Sequence, residues 1–363
     1  MNIKNIMAAF LCVLFLVISL PSNACTRALY VGEDDLVITG RSMDWAQDMG
    51  SNLWVFPRGI SRNGEAGPDS PQWVSKYGSV IASVYGIASA DGMNEKGLVM
   101  NMLYLVESDY GSPTPGHKPL SITLWGQYAL DNFATVAEAV ESMQAQPFYI
   151  MAPKLPDGNA SQLHLSLSDA TGDSAIFEYI DGKLVVHHSK QYQVMTNSPT
   201  YAKQLALNAY WKNIGGLDFL PGTNRAADRF ARTSFLINAI PKEKDVNFIQ
   251  SVAGHSYKNQ AIASVLSVMR AVSVPLGITT PGQPNIASTL WRTVADQKHL
   301  VYYFDSSTRP NVLWVDLAKL DFKEEAPILK LALENGDAPS GEASAAFKPA
   351  QPFKFLSAIK QPS

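Results

Sequence analysis

A thiol, a guanidinium and a carboxylate stand close together near the start of this chain, at Cys25, Arg41 and Asp44. If the chain is cut before Cys25, one residue supplies both nucleophile and base. A free α-amine titrates at about pH 8 and can take the proton of the neighbouring thiol. A thiol also needs less activation than a hydroxyl, because thiolate is accessible near neutrality. Arg41 would favour the thiolate by charge and hydrogen bonding. Asp44 would hold the α-amine or α-ammonium in position. Spacing alone equally allows an ordinary surface ion pair of little energetic weight.

That chemistry requires cleavage after Ala24, and residues 1–24 read as a secretory signal. Lys4 gives a positive start, Ile6 to Leu20 is an uncharged and mostly apolar run, and small residues stand at Ser22 and Ala24. The run is too short and wrongly flanked for a stable membrane anchor. A periplasmic location is expected. Cys12 leaves with the signal, so Cys25 becomes the single cysteine. Exported proteins usually pair their cysteines, and a lone thiol there is a liability unless it is used. Two plainer alternatives stand beside the nucleophile: a lipidated Cys25 in a lipoprotein or binding protein, which Ser22 and Asn23 suit poorly, and an unreactive buried thiol.

Further candidates lie downstream. Asn197, in Thr196-Asn197-Ser198-Pro199, could donate to an oxyanion or simply form a turn. Tyr104 and Trp45 are candidate walls of an apolar cleft, as is Trp291, for which core packing is the alternative. Arg229 and Arg232 fall on a helix, where arginines are usually solvated. The six histidines show no HExxH spacing.

These residues need strands to hold them. Thr26–Val31 and Leu36–Arg41 read as a hairpin across Gly32-Glu33-Asp34-Asp35. In such a hairpin the second strand returns beside Cys25. Asn52–Pro57, Ser79–Ala88 and Leu98–Tyr104 continue the strand pattern. Leu163–Ser168, Ser174–Tyr179 and Leu184–His187 read as a meander, followed by Gln193–Thr196. Helical spacing marks Leu120–Met143, Tyr201–Lys212, Ala226–Ala239 and Asn259–Val272. Strands return at His299–Asp305 and Asn311–Leu317. Strand-rich ends around central helices point to layered α+β with antiparallel sheets. Residues 25–333 read as one domain. Residues 334–363 read as a linker-like tail whose Pro- and Phe-containing end docks on the body. The chain is 46% hydrophobic and 17% charged, with a net charge of −3. Wholesale disorder is therefore not expected, nor is nucleic-acid binding.

Taken together and in order, these pieces resemble the choloylglycine hydrolase family, which holds penicillin V acylases and conjugated bile salt hydrolases. The matching pieces are Cys25-Thr26, Gly40-Arg41 with Asp44, Met93-Asn94-Glu95-Lys96-Gly97-Leu98, Thr196-Asn197-Ser198-Pro199-Thr200, Leu220-Pro221-Gly222, and Arg229-Phe230 with Arg232. The resemblance runs from Cys25 to about Leu317. It implies an N-terminal nucleophile hydrolase fold, an αββα sandwich of two antiparallel sheets between helical layers. It implies Cys25 as nucleophile, Arg41 and Asp44 at its thiol and amine, Asn197 and the Tyr104 backbone N–H as oxyanion donors, and Arg229 as support for the transition state. The implied activity is hydrolysis of a small-molecule linear amide with an apolar acyl group, with no cofactor and no metal, in a homo-oligomer (a tetramer). The signal segment looks like the Gram-negative branch, which resembles penicillin V acylases active also on N-acyl homoserine lactones. Bile salt hydrolysis is the main alternative.

Overall fold

The computed structural model describes residues 25–113, 115–278, 287–333 and 339–359. The expected signal segment, and Cys12 with it, lies outside the described residues.

β1 (Thr26–Val31) and β2 (Val37–Trp45) form the first hairpin. Its turn holds Asp34 and Asp35 at φ of 54° and 51°, a left-handed region that Asp tolerates better than most side chains. β2 runs beyond Arg41 through Trp45. Side chains alternate along a strand, so Arg41, Met43 and Trp45 share one face, and Gly40, Ser42 and Asp44 share the other. At Gly40 an added Cβ would come within 2.7 Å of Met269, so only glycine allows that close approach.

β3 (Leu53–Phe56), β4 (Ser79–Val84), β5 (Ala88–Asn94) and β6 (Val99–Tyr104) follow. The expected single strand Ser79–Ala88 is thus split by a turn with Tyr85 at φ 53° and Gly86 at φ 61°. The expected helix Leu120–Met143 is likewise two, α1 (Ile122–Asn132) and α2 (Val136–Gln144). A reciprocal cap breaks it: Thr135 Oγ1 accepts from Glu138 N at 3.2 Å, and Glu138 Oε2 accepts from Ala134 N at 2.8 Å. Asn94 seals the end of α1 by donating to Leu130 O and Phe133 O.

The meander forms as β7 (Leu163–Ser168), β8 (Ser174–Ile180) and β9 (Lys183–His188), followed by β10 (Val194–Thr196). Next come α3 (Tyr201–Ile214), α4 (Ala226–Ala239) and α5 (Tyr257–Ala271). β11 (Ser288–Asp296), which has no counterpart among the expected strands, precedes β12 (Val301–Ser306) and β13 (Val312–Asp316). β14 (Leu329–Leu331), β15 (Gly341–Glu342) and β16 (Lys348–Pro349) end the series.

The strands make a seven-stranded sheet, β10-β1-β2-β11-β12-β13-β15, and a nine-stranded sheet, β9-β8-β7-β6-β5-β4-β3-β14-β16. Within these two sheets pairing is antiparallel except where β15 joins β13. α4 packs on β1 and β10, and α5 on β2 and β11, while α1 covers β5 and β6 and α2 lies against β8 and β9. The expected αββα sandwich is the result. One apolar core joins the two sheets to α4 and α5, through Met43, Val80, Leu103, Val294, Phe230 and Val265. A second lies under α1 and α2, around Trp125 and Phe177.

The tail is docked rather than linker-like over its described part, 339–359. β15 and β16 join the two sheets, Phe347 and Phe355 are buried, and Leu356 O accepts from Ser121 and Thr123 hydroxyls at 2.8 and 3.1 Å.

Candidate active site

Cys25 lies at the head of β1 with 2% of its surface exposed. The hairpin register sets Thr26 opposite Ser42 and Arg27 opposite Arg41. This brings the end of β2 to the thiol. Cys25 Sγ lies 3.7 Å from Arg41 Nη2, 3.5 Å from Asp44 N and 3.9 Å from Met43 Sδ. On the other side, β10 sets Thr196 opposite Thr26, and the Cys25 backbone nitrogen donates to Asn197 Oδ1. Burial pushes the thiol pKa up, and the Asp44 charge adds to this. Arg41, the Asp44 N–H and Arg229 pull it back without reversing it. The thiol therefore rests protonated, and attack needs a base at hand.

Asp44 and Arg229 lie on the helix side of the sheet. Asp44 is fully buried, and Oδ1 accepts from Thr289 Oγ1, a residue that β11 places directly opposite it. Oδ2 stands 3.8 Å from Arg229 Nη1 and has no hydrogen-bond partner among the described residues. Arg229 is not the solvated arginine its helix position allows: it is fully buried. It donates to Cys25 O at 2.7 Å, to Thr26 Oγ1, to Asn197 Oδ1 at 3.2 Å and to Asn224 O at 3.0 Å.

Burial pushes the Asp44 carboxyl up to about 6 from 3.8, against the pull of Arg229 and Thr289. The sign of the consequence is fixed by linkage. A carboxyl raised on folding favours the folded state below its unfolded pKa, and that advantage is lost as pH rises through about 6. Between pH 4 and pH 8 the uncut wild-type chain should therefore lose on the order of 2 kcal/mol more stability than Asp44→Asn, which has no carboxyl to ionise. Denaturant titrations at the two pH values check this, and the same pH dependence in both proteins contradicts it.

Tyr104 and Asn197 meet across the sheets. Tyr104 pairs with Leu163, while Leu105 N donates to Gln162 O at 2.9 Å. Antiparallel pairs alternate between bonded and non-bonded, so both backbone groups of Tyr104 face away from β7. Its carbonyl accepts from Asn197 Nδ2 at 2.7 Å, and its N–H points the same way. Asn197 is held in turn by α3, since Gln204 Nε2 donates to Asn197 O and Thr196 Oγ1, both at 3.1 Å.

The cleft beyond Cys25 is apolar, walled by Trp45, Met49, Val84, Met102, Tyr104 and Leu155. The Trp45 and Tyr104 rings meet edge to face at 6.0 Å. Trp291 does not line this cleft. It is buried beneath the Arg41 guanidinium, which sits 4.6 Å from its ring centroid, and its Nε1 donates to Ser51 Oγ at 2.9 Å. It supports the charge rather than the substrate.

Cys25, Arg41, Asp44, Tyr104, Asn197, Arg229 and Trp45 thus converge from five separate segments. Thr289, Gln204 and Asp157 (treated below) were not foreseen. The β-branched and aromatic residues of Thr289-Leu290-Trp291-Arg292-Thr293-Val294 were the available signal for the first. Two other motifs are structural. Gly97, at φ 80°, turns the hairpin closely past Gln297 O, and Arg232 ties down the loop by donating to Pro221 O and Thr223 O.

An αββα sandwich with this cysteine heading its first strand is the fold of the N-terminal nucleophile hydrolases. The chain belongs to the linear amide C–N hydrolases of the choloylglycine hydrolase family, whose pattern matches residues 25–330. A penicillin V acylase of Pectobacterium atrosepticum is 52% identical, with 98% of each chain covered. The solved penicillin V acylase of Agrobacterium tumefaciens is 56% identical, with a TM-score of 0.83 over 92% of this chain and 100% of that one. A conjugated bile acid hydrolase of Clostridium perfringens shares the fold at 21% identity, with a TM-score of 0.69 over 88% of this chain and 98% of its own.

Proposed function

We propose that residues 1–24 are removed on export to the periplasm, and that the mature enzyme uses Cys25 to hydrolyse penicillin V and related amides with an apolar acyl group. One observation carries this proposal. The Cys25 nitrogen already donates to Asn197 Oδ1, while Sγ lies beside Arg41 at an apolar cleft. Once freed, that nitrogen is a base adjacent to a protonated thiol. Asp44 Oδ2, buried without a partner among the described residues, is the acceptor left over for its added protons.

Sγ attacks the acyl carbonyl carbon as the thiol proton passes to the α-amine, and the carbonyl π pair moves onto oxygen. The Tyr104 N–H and the second Nδ2 hydrogen of Asn197 are the donors for that oxyanion; one such donor contributes about 3 kcal/mol. The C–N bond then breaks, the α-ammonium protonates the leaving amine, and a thioester remains. Water gives a proton to the same α-amine, attacks the thioester, and releases the acid with the thiol restored. Arg41 holds a positive charge at the sulfur throughout, and Arg229 fixes Cys25 O and Asn197. The cycle closes with the chain's own groups.

The near-full-length likeness to two penicillin V acylases supports the phenoxyacetyl amide over a conjugated bile salt. The Met and Leu walls also suit the fatty acyl chain of an N-acyl homoserine lactone. A lipid anchor on Cys25 is disfavoured by the burial of its thiol. We expect a homo-oligomer, since Tyr210, Leu217 and Phe219 form an exposed apolar surface of the kind that subunits cover. Amine release from penicillin V, glycocholate and a long-chain acyl homoserine lactone is the test. Penicillin V should give the highest kcat/KM of the three, and a preference for glycocholate contradicts the proposal.

A further inference from the structure

One side of the cleft mouth is formed by a short hairpin, residues 153–161, that is tied to itself. Leu155 N donates to Asn159 O and Gly158 N to Leu155 O, both at 2.9 Å, and Lys154 bridges to Ala160. Asn159 N donates to Asp157 Oδ1 at 2.9 Å. The hairpin contributes Leu155, almost fully buried, to the wall of the cleft.

Asp157, at the tip of the hairpin, fixes it against the opposite wall. Its Oδ2 accepts from Trp45 Nε1 and from Tyr85 OH, both at 3.0 Å. Trp45 Nε1 also lies 2.9 Å from Tyr85 OH, and Gln47 Nε2 donates to that hydroxyl at 3.1 Å. Three segments far apart in sequence therefore meet at one carboxylate: the end of β2, the β4–β5 turn and the hairpin tip. Tyr85 holds a left-handed φ of 53°, with its N–H on Met49 O at 2.6 Å. That conformation is unfavourable for a non-glycine residue, and here it accompanies a hydroxyl that donates to Asp157. Burial pushes the Asp157 carboxyl up, but hydrogen bonds from Asn159, Trp45 and Tyr85 outweigh it and hold the group below its ordinary value. It therefore stays charged and keeps its acceptor strength at neutral pH. Asp157 touches neither Cys25 nor the floor of the cleft; it acts through Leu155 and Trp45, which do line it.

We propose that Asp157 is a positioning residue that determines specificity: it fastens the Leu155 hairpin across to Trp45 and Tyr85 and so limits the width of the group that reaches Cys25. The assignment of the cleft to the acyl group rests on the function proposed above; the latch itself does not.

The test uses the mature protein and two neutral thiol reagents, iodoacetamide and the wider N-pyrenylmaleimide, with labelling of Cys25 read by peptide mass. In Asp157→Ala the pyrenylmaleimide rate should rise about tenfold relative to iodoacetamide, the equivalent of one charged hydrogen bond. Asp157→Asn keeps an acceptor and should restore the wild-type ratio, and Tyr85→Phe, which removes one of the two donors, should fall between. On penicillin V, Asp157→Ala should raise KM about tenfold while kcat stays within about threefold. An unchanged labelling ratio in both Asp157→Ala and Tyr85→Phe overturns the latch, whatever the enzyme hydrolyses. An altered ratio in a protein that cleaves no amide leaves the latch standing and sinks the assigned activity instead.

Discussion

A chain in which one residue remains joined to Cys25 is expected to hydrolyse no amide, although its thiol is intact. The Cys25 thiol is pushed up by burial and rests protonated, so it needs a base at the moment of attack. A peptide nitrogen has no basic lone pair, and the groups around Sγ do not replace it. Arg41 Nη2 and Asp44 N are donors, while Asp44 O, 3.7 Å away, and Met43 Sδ accept a hydrogen bond but are not bases. Placing a single extra residue, one that only an added aminopeptidase removes, before Cys25 should therefore lower kcat/KM by about 10⁴ or more, as does Cys25→Ala, because nucleophile and base act as one unit. The two losses should not add. Removing the extra residue with an aminopeptidase should restore activity in the first variant and not in the second. Amine release from penicillin V measures both, and a blocked chain that keeps a few per cent of wild-type turnover would show that some other group takes the proton.

The second large effect is expected at Arg229. Its guanidinium reaches Cys25 O, Thr26 Oγ1, Asn197 Oδ1 and Asn224 O and lies 3.8 Å from Asp44 Oδ2, all without exposure to water. Arg229→Leu removes these bonds together and strands Asp44 as a buried carboxylate. Breaking one partner of such a pair costs about 3 kcal/mol or more in stability. Activity should fall further than stability explains, by about 10² to 10³, because Asn197 loses the bond that orients its amide toward the oxyanion. Adding Asp44→Asn to Arg229→Leu should recover part of the stability and none of the activity. A double-mutant cycle by denaturant titration then gives a coupling of about 1 kcal/mol or more. If the two stability changes add independently, the ion pair is not what holds Arg229 in place.

Much of this site was legible in the sequence because its chemistry starts at one residue. A lone cysteine behind a segment that reads as a secretory signal points to the proposed nucleophile, and the second strand of the hairpin that follows returns beside it. β1, β7 and α4 form where their patterning places them. β11 was hidden because a register shift between Thr289 and Trp291 interrupts its alternation, and Thr289 was hidden with it. Without that strand there was no way to see that Trp291 lies under Arg41 instead of facing the cleft. The break between α1 and α2 was written in Thr135-Val136-Ala137-Glu138, but hydrophobic spacing continues across it and masks the cap. The tail's small and acidic residues look like linker because its two-residue strands are too short to carry a pattern. Asp157 is the limiting case. Pro156-Asp157-Gly158-Asn159 reads as a turn, and nothing local says that its carboxylate meets Trp45, 112 positions away.

The most direct test of the Cys25 mechanism is the intact mass of the protein recovered from cells that express the full sequence, taken before and after brief mixing with penicillin V. The expected result is a mass that begins at unmodified Cys25, gains one phenoxyacetyl group during turnover, and in Cys25→Ala shows neither the gain nor the turnover. A lipid on Cys25, or turnover by a chain whose 24–25 bond is intact, would contradict it.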